Sequence, residues 1–85
     1  MFYTYVLRSR KNQKLYYGYT NNLEKRIVEH DSGKDDFTRH NGPWDLVYFE
    51  EFTLKTEALK QERFFKSGKG REYVRGKLNN FQIGE

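Results

Sequence analysis

Two tyrosine-rich runs near the start of this chain constrain its fold more than any other feature. Five of the seven tyrosines lie within the first nineteen residues, at positions 3, 5, 16, 17 and 19. Residues 2–7 are mostly aromatic or β-branched, and a polar segment containing Asn12 follows. Such runs favour strands, and the polar segment favours a turn. We therefore predict strands over residues 2–7 and 15–20, paired as an antiparallel hairpin.

The first run has two distinct faces, one of which carries Tyr3, Tyr5 and Leu7. Gly18 lies inside the second run. A glycine within a strand often marks a bulge or a close approach of the backbone to another group. The hairpin is therefore expected to contain one position where a side chain would not fit.

A helix is predicted directly after the hairpin. An asparagine at position 21 or 22 can cap it, and it should end at residue 30 or 31, before Gly33. Positions spaced i, i+3, i+4 and i+7 form one stripe of this helix. The stripe consists of Leu23, Arg26, Ile27 and His30. Its two basic members either reach from the stripe's edge to water or belong to a site, and periodicity leaves both readings open.

Residues 33–44 have no apolar period and are rich in turn formers, so we predict a loop there. This loop would be long for so small a domain, and long loops are often functional. Arg39 and His40 lie within it. Strand character returns over residues 46–52, which are predicted to form the third strand.

A second helix is predicted over residues 54–67, capped by Thr53 and ended by Gly68. Its apolar stripe consists of Ala58, Leu59, Glu62 and Phe65. A carboxylate in such a stripe costs desolvation unless a cation or a hydrogen-bond donor accompanies it. Glu62 is therefore either a buried partner of Arg26 or another base, or a metal ligand.

A third helix is predicted over residues 69–79, with Tyr73, Val74 and Leu78 packing inward. Residues 80–85 would form a loosely held tail after a single domain of residues 1–79. The element order is then β-β-α-β-α-α. This order predicts an α+β fold, with a small three-stranded, mainly antiparallel sheet and flanking helices.

Composition limits the classes of protein to which the chain can belong. Only 35% of its 85 residues are apolar and 18% are aromatic, so aromatic rings must supply much of the buried area. No apolar run reaches the roughly 18 residues needed to cross a bilayer, and the N-terminus lacks the pattern of a signal peptide. With no cysteine the chain has neither disulfides nor thiolate sites, and a cytoplasmic location is expected. The net charge of +4 is compatible with a polyanionic partner.

The polar residues of the predicted elements suit hydrolysis of a phosphodiester. A carboxylate can hold a divalent cation, an arginine can bind phosphate oxygens, and a tyrosine can orient or deprotonate the attacking water. Other chemistries fit poorly, because His/Cys spacing for zinc is absent. The run Ser-Gly-Lys-Gly-Arg at residues 67–71 lacks the spacing of a phosphate-binding P-loop.

The ordered set of motifs resembles the GIY-YIG nuclease superfamily, in particular its small single-domain bacterial members. Tyr3-Thr4-Tyr5 corresponds to the first motif and Tyr16-Tyr17-Gly18 to the second. The following helix places the motif arginine at Arg26 and a frequent histidine at His30. The run EALKQE ends at Glu62, the position of the family's metal-binding glutamate, and KSGKGREYVR is also typical of the small members.

The resemblance implies cleavage of DNA with one Mg²⁺, or Mn²⁺, held by Glu62. It makes Arg26 the group that stabilises the phosphoryl charge, and His30 a proton-transfer or phosphate-binding group. Tyr16 is the first choice for the general base, with Tyr5 positioning water or phosphate, although the two roles can be exchanged.

Contacts with nucleic acid are expected at four further positions. They are Gly18, Tyr19, Arg39 and His40. Larger members carry a basic residue where this chain has Tyr19, which weakens the expected phosphate contact.

Two other functions remain compatible with the sequence. A catalytically weak domain would bind nucleic acid through its aromatic and basic residues. Alternatively, a protein partner would supply the DNA specificity. Because the larger members' recognition domains have no counterpart in these residues, affinity would rest on contacts with phosphates rather than bases.

Overall fold

A three-stranded antiparallel sheet organises the fold. The computed structural model describes residues 1–32 and 36–83, without the side chains of residues 36–38 and 80–83. Within these ranges the chain forms three strands and four helices. The elements are β1 (Phe2–Ser9), β2 (Leu15–Thr20), α1 (Leu23–Asp31), α2 (Asp36–Asn41), β3 (Trp44–Phe52), α3 (Lys55–Lys66) and α4 (Gly68–Ile83). The predicted α+β class, with a three-stranded sheet and flanking helices, is confirmed.

The strands lie in the order β2-β1-β3, so β1 is central and β2 forms one edge of the sheet. The predicted hairpin is present, and its register places Tyr5 opposite Gly18. A bond from the Ser9 amide to the Lys14 carbonyl, 2.9 Å long, closes the hairpin. The turn includes Gln13 in the left-handed region, at φ 65°.

Helices cover both faces of the central strand. Tyr5 and Leu7 are fully buried on the face that packs against α1, while Val6 is fully buried on the face beneath α3 and α4. Phe65 of α3 and Val74 of α4 complete this second cluster. Because helices cover both faces of β1, side chains from both faces of this strand are buried in the core.

An irregularity in β3 changes which of its side chains face each helix layer. Val6 pairs with Tyr48 and Leu7 pairs with Leu46, so Val47 is an extra residue on β3. Such a bulge lets two successive residues point to one face. Val47 and Tyr48 accordingly both pack in the cluster beneath α3 and α4, whereas Leu46 packs towards α1.

The predicted loop over residues 33–44 is wrong where α2 and the start of β3 lie. Residues 33–35, including Gly33, are outside the described part of the chain. Six residues are too few for a helical period to stand out from the neighbouring turn formers. Contacts with the hairpin hold the end of α2, because the Asn41 carbonyl accepts the Ser9 hydroxyl and Asn12 donates to the Asn41 side chain.

The caps of α1 and α3 differ in how well the sequence predicted them. Asn22 caps α1, and its side chain accepts the Lys25 amide at 3.1 Å. The predicted cap at Thr53 is wrong, because Leu54 occupies the N-cap of α3 without a side-chain bond. α3 is therefore held by its packing against the sheet rather than by a cap.

The last helix, α4, is longer than predicted and continues through residues 80–83. Residues 84 and 85 of the expected tail lie outside the described residues. Tyr73, Val74 and Leu78 pack inward as predicted. Across the described residues, none of the helices is both long and apolar enough to span a membrane.

The junction between α3 and α4 requires a glycine at position 70. A Cβ atom there would overlap the backbone carbonyl of Phe64. The Gly70 amide bonds instead to the Ser67 hydroxyl, which itself donates to the Phe64 carbonyl. The close approach lets α4 turn directly back over the sheet.

Gly70→Ala is expected to destabilise the fold by about 1–3 kcal/mol, because a backbone atom cannot move aside as a flexible side chain can. Gly76→Ala is the matched control, since no atom lies within 4 Å of a Cβ placed there. The control should be stabilising by up to about 1 kcal/mol, from helix propensity alone. Urea unfolding followed by circular dichroism measures both. Equal effects of the two substitutions would contradict the packing argument.

Candidate active site

The phenol of Tyr5 is the centre of a polar cluster between the sheet and α1. It is fully buried, and its hydroxyl oxygen lies 2.9 Å from Nε2 of His30. Nε of Arg26 donates to the same oxygen at 3.2 Å. Arg26 and His30 are four residues apart on α1, so one helix face brings both to the phenol.

Only the bond from Arg26 has a fixed direction. Arg26 has only donors, so the Tyr5 oxygen must accept from it. In the bond between Tyr5 and His30, the phenol donates when Nε2 carries no proton and accepts when Nε2 is protonated. Burial raises the pKa of Tyr5 to about 12, although the bond from Arg26 and its charge act in the opposite direction. Tyr5 is therefore protonated at neutral pH.

Tyr16 lies beside this cluster on β2 and is only half-buried. Its ring centroid is 4.9 Å from that of His30 and 6.2 Å from that of Trp44, both in edge contacts. Tyr16 also interacts with the Arg26 guanidinium and contributes to the raised pKa of Arg26. One guanidinium group thus joins a buried phenol to a partly exposed one.

Arg26 is held in place from a second direction by Glu29, whose carboxylate is 3.5 Å away and one helical turn along α1. Burial disfavours the guanidinium charge, but the hydrogen bonds and charges of Tyr5 and Tyr16 outweigh it and raise the pKa of Arg26. The reading in which both basic members reach to water is wrong, because His30 is 1% exposed. The Arg26 side chain is 29% exposed and donates to the buried Tyr5 oxygen.

Glu62 approaches from the other layer, on α3. Its side chain is 21% exposed, and its carboxylate lies 3.4 Å from the Lys66 ammonium. Its negative charge contributes to the raised pKa of Tyr5, so the two groups interact through space. The contacts described for Glu62 include no hydrogen bond to the Tyr5 cluster. Its basic partner is Lys66 of its own helix, rather than Arg26.

The residues near Glu62 suit a weakly held hard cation rather than a closed metal cage. Among the described residues, no group of three or more histidines and carboxylates could surround an ion. Mg²⁺ commonly keeps several waters and uses one or two protein carboxylates together with substrate phosphate oxygens. A single, partly exposed carboxylate whose charge reaches Tyr5 fits that mode of binding.

Packing within the hairpin explains the glycine at position 18, whereas a contact with nucleic acid was expected there. Gly18 is buried opposite Tyr5, and a Cβ atom at this position would overlap Cζ and the hydroxyl oxygen of Tyr5. The phenol therefore crosses the hairpin through the space that the missing side chain leaves. The predicted close approach is present, and the group that approaches is Tyr5.

The remaining predicted contact residues lie away from the Tyr5 phenol. Tyr19 stacks on Phe2, with ring centroids 6.4 Å apart, and the Lys55 ammonium lies over its ring. Arg39 and His40 are exposed in the last turn of α2. The structure thus brings together Tyr5, Tyr16, Arg26 and His30.

Sequence reasoning missed two residues that support the cluster. Glu29 pairs with Arg26, and the spacing i, i+3 was visible in the sequence. Trp44 is 4% exposed and packs against Tyr16. Its distance from Tyr16 along the chain provided no local signal, because the pairing of β3 with β1 creates the contact.

Comparison with known proteins agrees with this geometry. A family model described as the GIY-YIG catalytic domain matches residues 1–78. The chain belongs to the GIY-YIG domain family. Its motif positions in β1, β2 and α1 are those that converge on the Tyr5 phenol.

The GIY-YIG chain is also similar to several UPF0213 proteins. It is 48% identical to one from Oceanobacillus iheyensis, over 71% of this chain and 70% of that protein. It is 49% identical to one from Clostridium perfringens, over 78% of this chain and 71% of that protein. The solution NMR structure of a UPF0213 protein from Bacillus halodurans is 35% identical, with a TM-score of 0.55, covering 89% and 84% of the two chains. These small relatives confirm the predicted group within the family and support a nuclease-like function.

Gly18→Ala is expected to cost about 1–3 kcal/mol of stability, because the new methyl group must displace the buried Tyr5 ring. The cost should fall in a Tyr5→Leu background, since the atoms that clash are then absent. A double-mutant cycle measured by urea unfolding gives this coupling directly. Additive effects would show that Gly18 is required for another reason.

The raised pKa of Tyr5 predicts a pH dependence of stability. Its ordinary value is 10.0 and its folded value about 12, so the folded state holds this proton more tightly. The resulting stabilisation is complete below pH 10 and is lost as the pH rises to 12. Relative to Tyr5→Phe, the wild type should lose about 2–3 kcal/mol of unfolding free energy across this interval. If the unfolding free energies of the two proteins, measured in urea, depend on pH in the same way, the raised pKa of Tyr5 is contradicted.

Proposed function

We propose that this GIY-YIG domain is a Mg²⁺-dependent DNA endonuclease, either structure-selective or of low sequence specificity. One observation carries the proposal: Arg26 donates a hydrogen bond to Tyr5 and interacts electrostatically with Tyr16, while His30 contacts the buried Tyr5 phenol. A core arginine needs no such pair of phenols, whereas an anionic substrate needs a fixed cation beside groups that bind and move protons. The family match to a catalytic domain supports the same conclusion.

Arg26 is suited to bind the phosphate that is cleaved. Its planar fork can donate to two oxygens at once, and partial burial strengthens its interaction with a developing negative charge. Tyr5, Tyr16 and Glu29 fix its position before any substrate arrives. The entropy of orientation is therefore largely lost during folding rather than during the reaction.

The two tyrosines are assigned different roles because their surroundings differ. Tyr5 is fully buried, has a pKa of about 12 and is hydrogen-bonded to His30, so it positions groups and does not accept a proton. Tyr16 is partly exposed and shares Arg26, whose charge stabilises negative charge on the phenol oxygen. Tyr16 is assigned as the general base that takes a proton from the attacking water as the new oxygen–phosphorus bond forms.

The bond from phosphorus to the leaving oxygen breaks as the water oxygen is added, and the leaving oxygen takes up a proton from solvent. Glu62 is the residue that would hold Mg²⁺ or Mn²⁺, and such an ion would polarise the phosphoryl oxygen. His30, which is hydrogen-bonded to Tyr5, keeps that phenol in a fixed orientation. Every protein group returns to its original protonation state after exchange with solvent.

A second function is supported by the location of Glu62. Its carboxylate pairs with Lys66 and, among the described residues, forms no hydrogen bond to the Tyr5 cluster. A domain with this arrangement can bind nucleic acid through Arg26 and the aromatic residues without rapid turnover. Cleavage assays separate this binding module from the nuclease.

The decisive assay incubates purified protein with branched, nicked and single-stranded DNA, in Mg²⁺ or in EDTA. Wild-type cleavage should disappear in EDTA and fall by about 100-fold or more in Glu62→Gln, as expected for loss of a main electrostatic contributor. Glu57→Gln is the matched control, because Glu57 lies on the same helix and is exposed. It should cleave like the wild type.

Two results would overturn the nuclease proposal. Cleavage that persists in EDTA or in Glu62→Gln would remove Glu62 and the cation from the reaction. Tight binding of all these DNA forms, with none of them cut in Mg²⁺, would establish the binding module instead.

A further inference from the structure

A second basic cluster lines a groove on the other face of β2, away from Tyr16. The groove encloses about 530 Å³ between the hairpin and α4 and is open to solvent. It is lined by Gln13, Lys14, Leu15, Tyr17, Arg71 and Arg75. The chain has twelve acidic side chains, and none of them is among the residues that line the groove.

The cations of this groove are arranged in a row. Arg71 and Arg75 are four residues apart on α4, so they lie on one helix face, separated by about 6 Å along the axis. Lys14 faces them from the end of the hairpin. Among the ion pairs of the described residues, none involves Lys14, Arg71 or Arg75. Their charges are therefore not neutralised within the described part of the fold.

Tyr17 forms the floor of the groove. Its half-buried ring packs edge-on against Phe65, at 6.2 Å between centroids. Burial raises the pKa of Tyr17, although the charges of Arg71 and Arg75 oppose the shift, so the phenol remains a hydrogen-bond donor at neutral pH. The ammonium, guanidinium and phenol groups thus all offer hydrogens, a set that matches phosphate oxygens.

The position of the groove relates it to the candidate active site. Tyr16 and Tyr17 are consecutive residues of β2, so they point to opposite faces of the sheet. Because β2 is an edge strand, no further strand separates the two faces there. A polymer that passes over this edge can contact Arg26 on one side and Arg71 and Arg75 on the other.

We propose that this groove binds backbone phosphates of a nucleic-acid strand that also has a phosphodiester at Arg26 and Tyr16. The proposal rests on the function proposed above, because it assigns a polyanionic substrate to both surfaces. An open row of donors suits a polymer with regularly spaced phosphates. It also implies sequence-independent binding, since the groove offers contacts to the backbone rather than to base edges.

Salt dependence of binding tests the proposal. A fluorescent nicked duplex is titrated with protein in EDTA, over about 50 to 200 mM salt, and affinity is read by anisotropy. Each phosphate neutralised contributes about 0.9 to the slope of log affinity against log salt. Arg71→Gln/Arg75→Gln should therefore lower the slope by about 2 and weaken binding by roughly 10-fold or more at the lowest salt.

Two control variants separate local contacts from net charge and from misfolding. Lys25→Gln/Lys60→Gln removes two charges from exposed positions of α1 and α3, and no described contact joins either side chain to the groove. It should change affinity by less than about 3-fold, because exposed distant charges are screened. Arg71→Lys/Arg75→Lys keeps both charges and should retain the wild-type slope.

The outcomes distinguish this groove from the proposed nuclease function, because cleavage of the same duplex is measured separately in Mg²⁺. A wild-type slope in Arg71→Gln/Arg75→Gln overturns the groove assignment alone. An equal loss of affinity in the Lys25→Gln/Lys60→Gln control does the same. A reduced slope without any wild-type cleavage supports the groove and overturns the nuclease. A wild type that does not bind the duplex overturns both.

Discussion

The buried hydroxyl of Tyr5 is the interaction on which the rest of this structure depends. A phenol in a protein core must find hydrogen-bond partners, and here Arg26 and His30 supply them from α1. Those bonds set the orientation of α1 against the sheet. The path of the phenol across the hairpin requires Gly18 at the paired position of β2. A single polar group therefore links the packing of the core to the arrangement of the candidate active site.

The edge strand β2 contributes side chains to both faces of the sheet, and each face carries one of the two proposed sites. On the α1 side, Tyr16 shares Arg26 with Tyr5. On the α3 and α4 side, Tyr17 lies beneath Arg71 and Arg75. Glu62 belongs to this second layer, yet its charge reaches the Tyr5 phenol. A small domain can thus present the proposed general base and the proposed phosphate-binding groove on adjacent residues of one strand.

Much of the fold and part of the site followed from local patterns. Several correct predictions depend only on neighbouring residues and need no knowledge of distant ones. They concern the alternating faces of residues 2–7, the cap at Asn22 and the i, i+4 spacing of Arg26 and His30. The helix α2 and the extra residue at Val47 were not predicted. Both arise where contacts with the hairpin or with β1 decide the local conformation, and propensity over six residues is too weak to reveal them.

By itself, the sequence determined the order of the motifs, the strand and helix types and the identity of the groups available for chemistry, because these depend on neighbours along the chain. Only the tertiary structure decided the environments of those groups. It buried Tyr5 and left Tyr16 partly exposed, and it placed Lys14 opposite Arg71. Burial and charge proximity are properties of residues distant in sequence. For that reason, two tyrosines that look equivalent in their motifs have different chemistry.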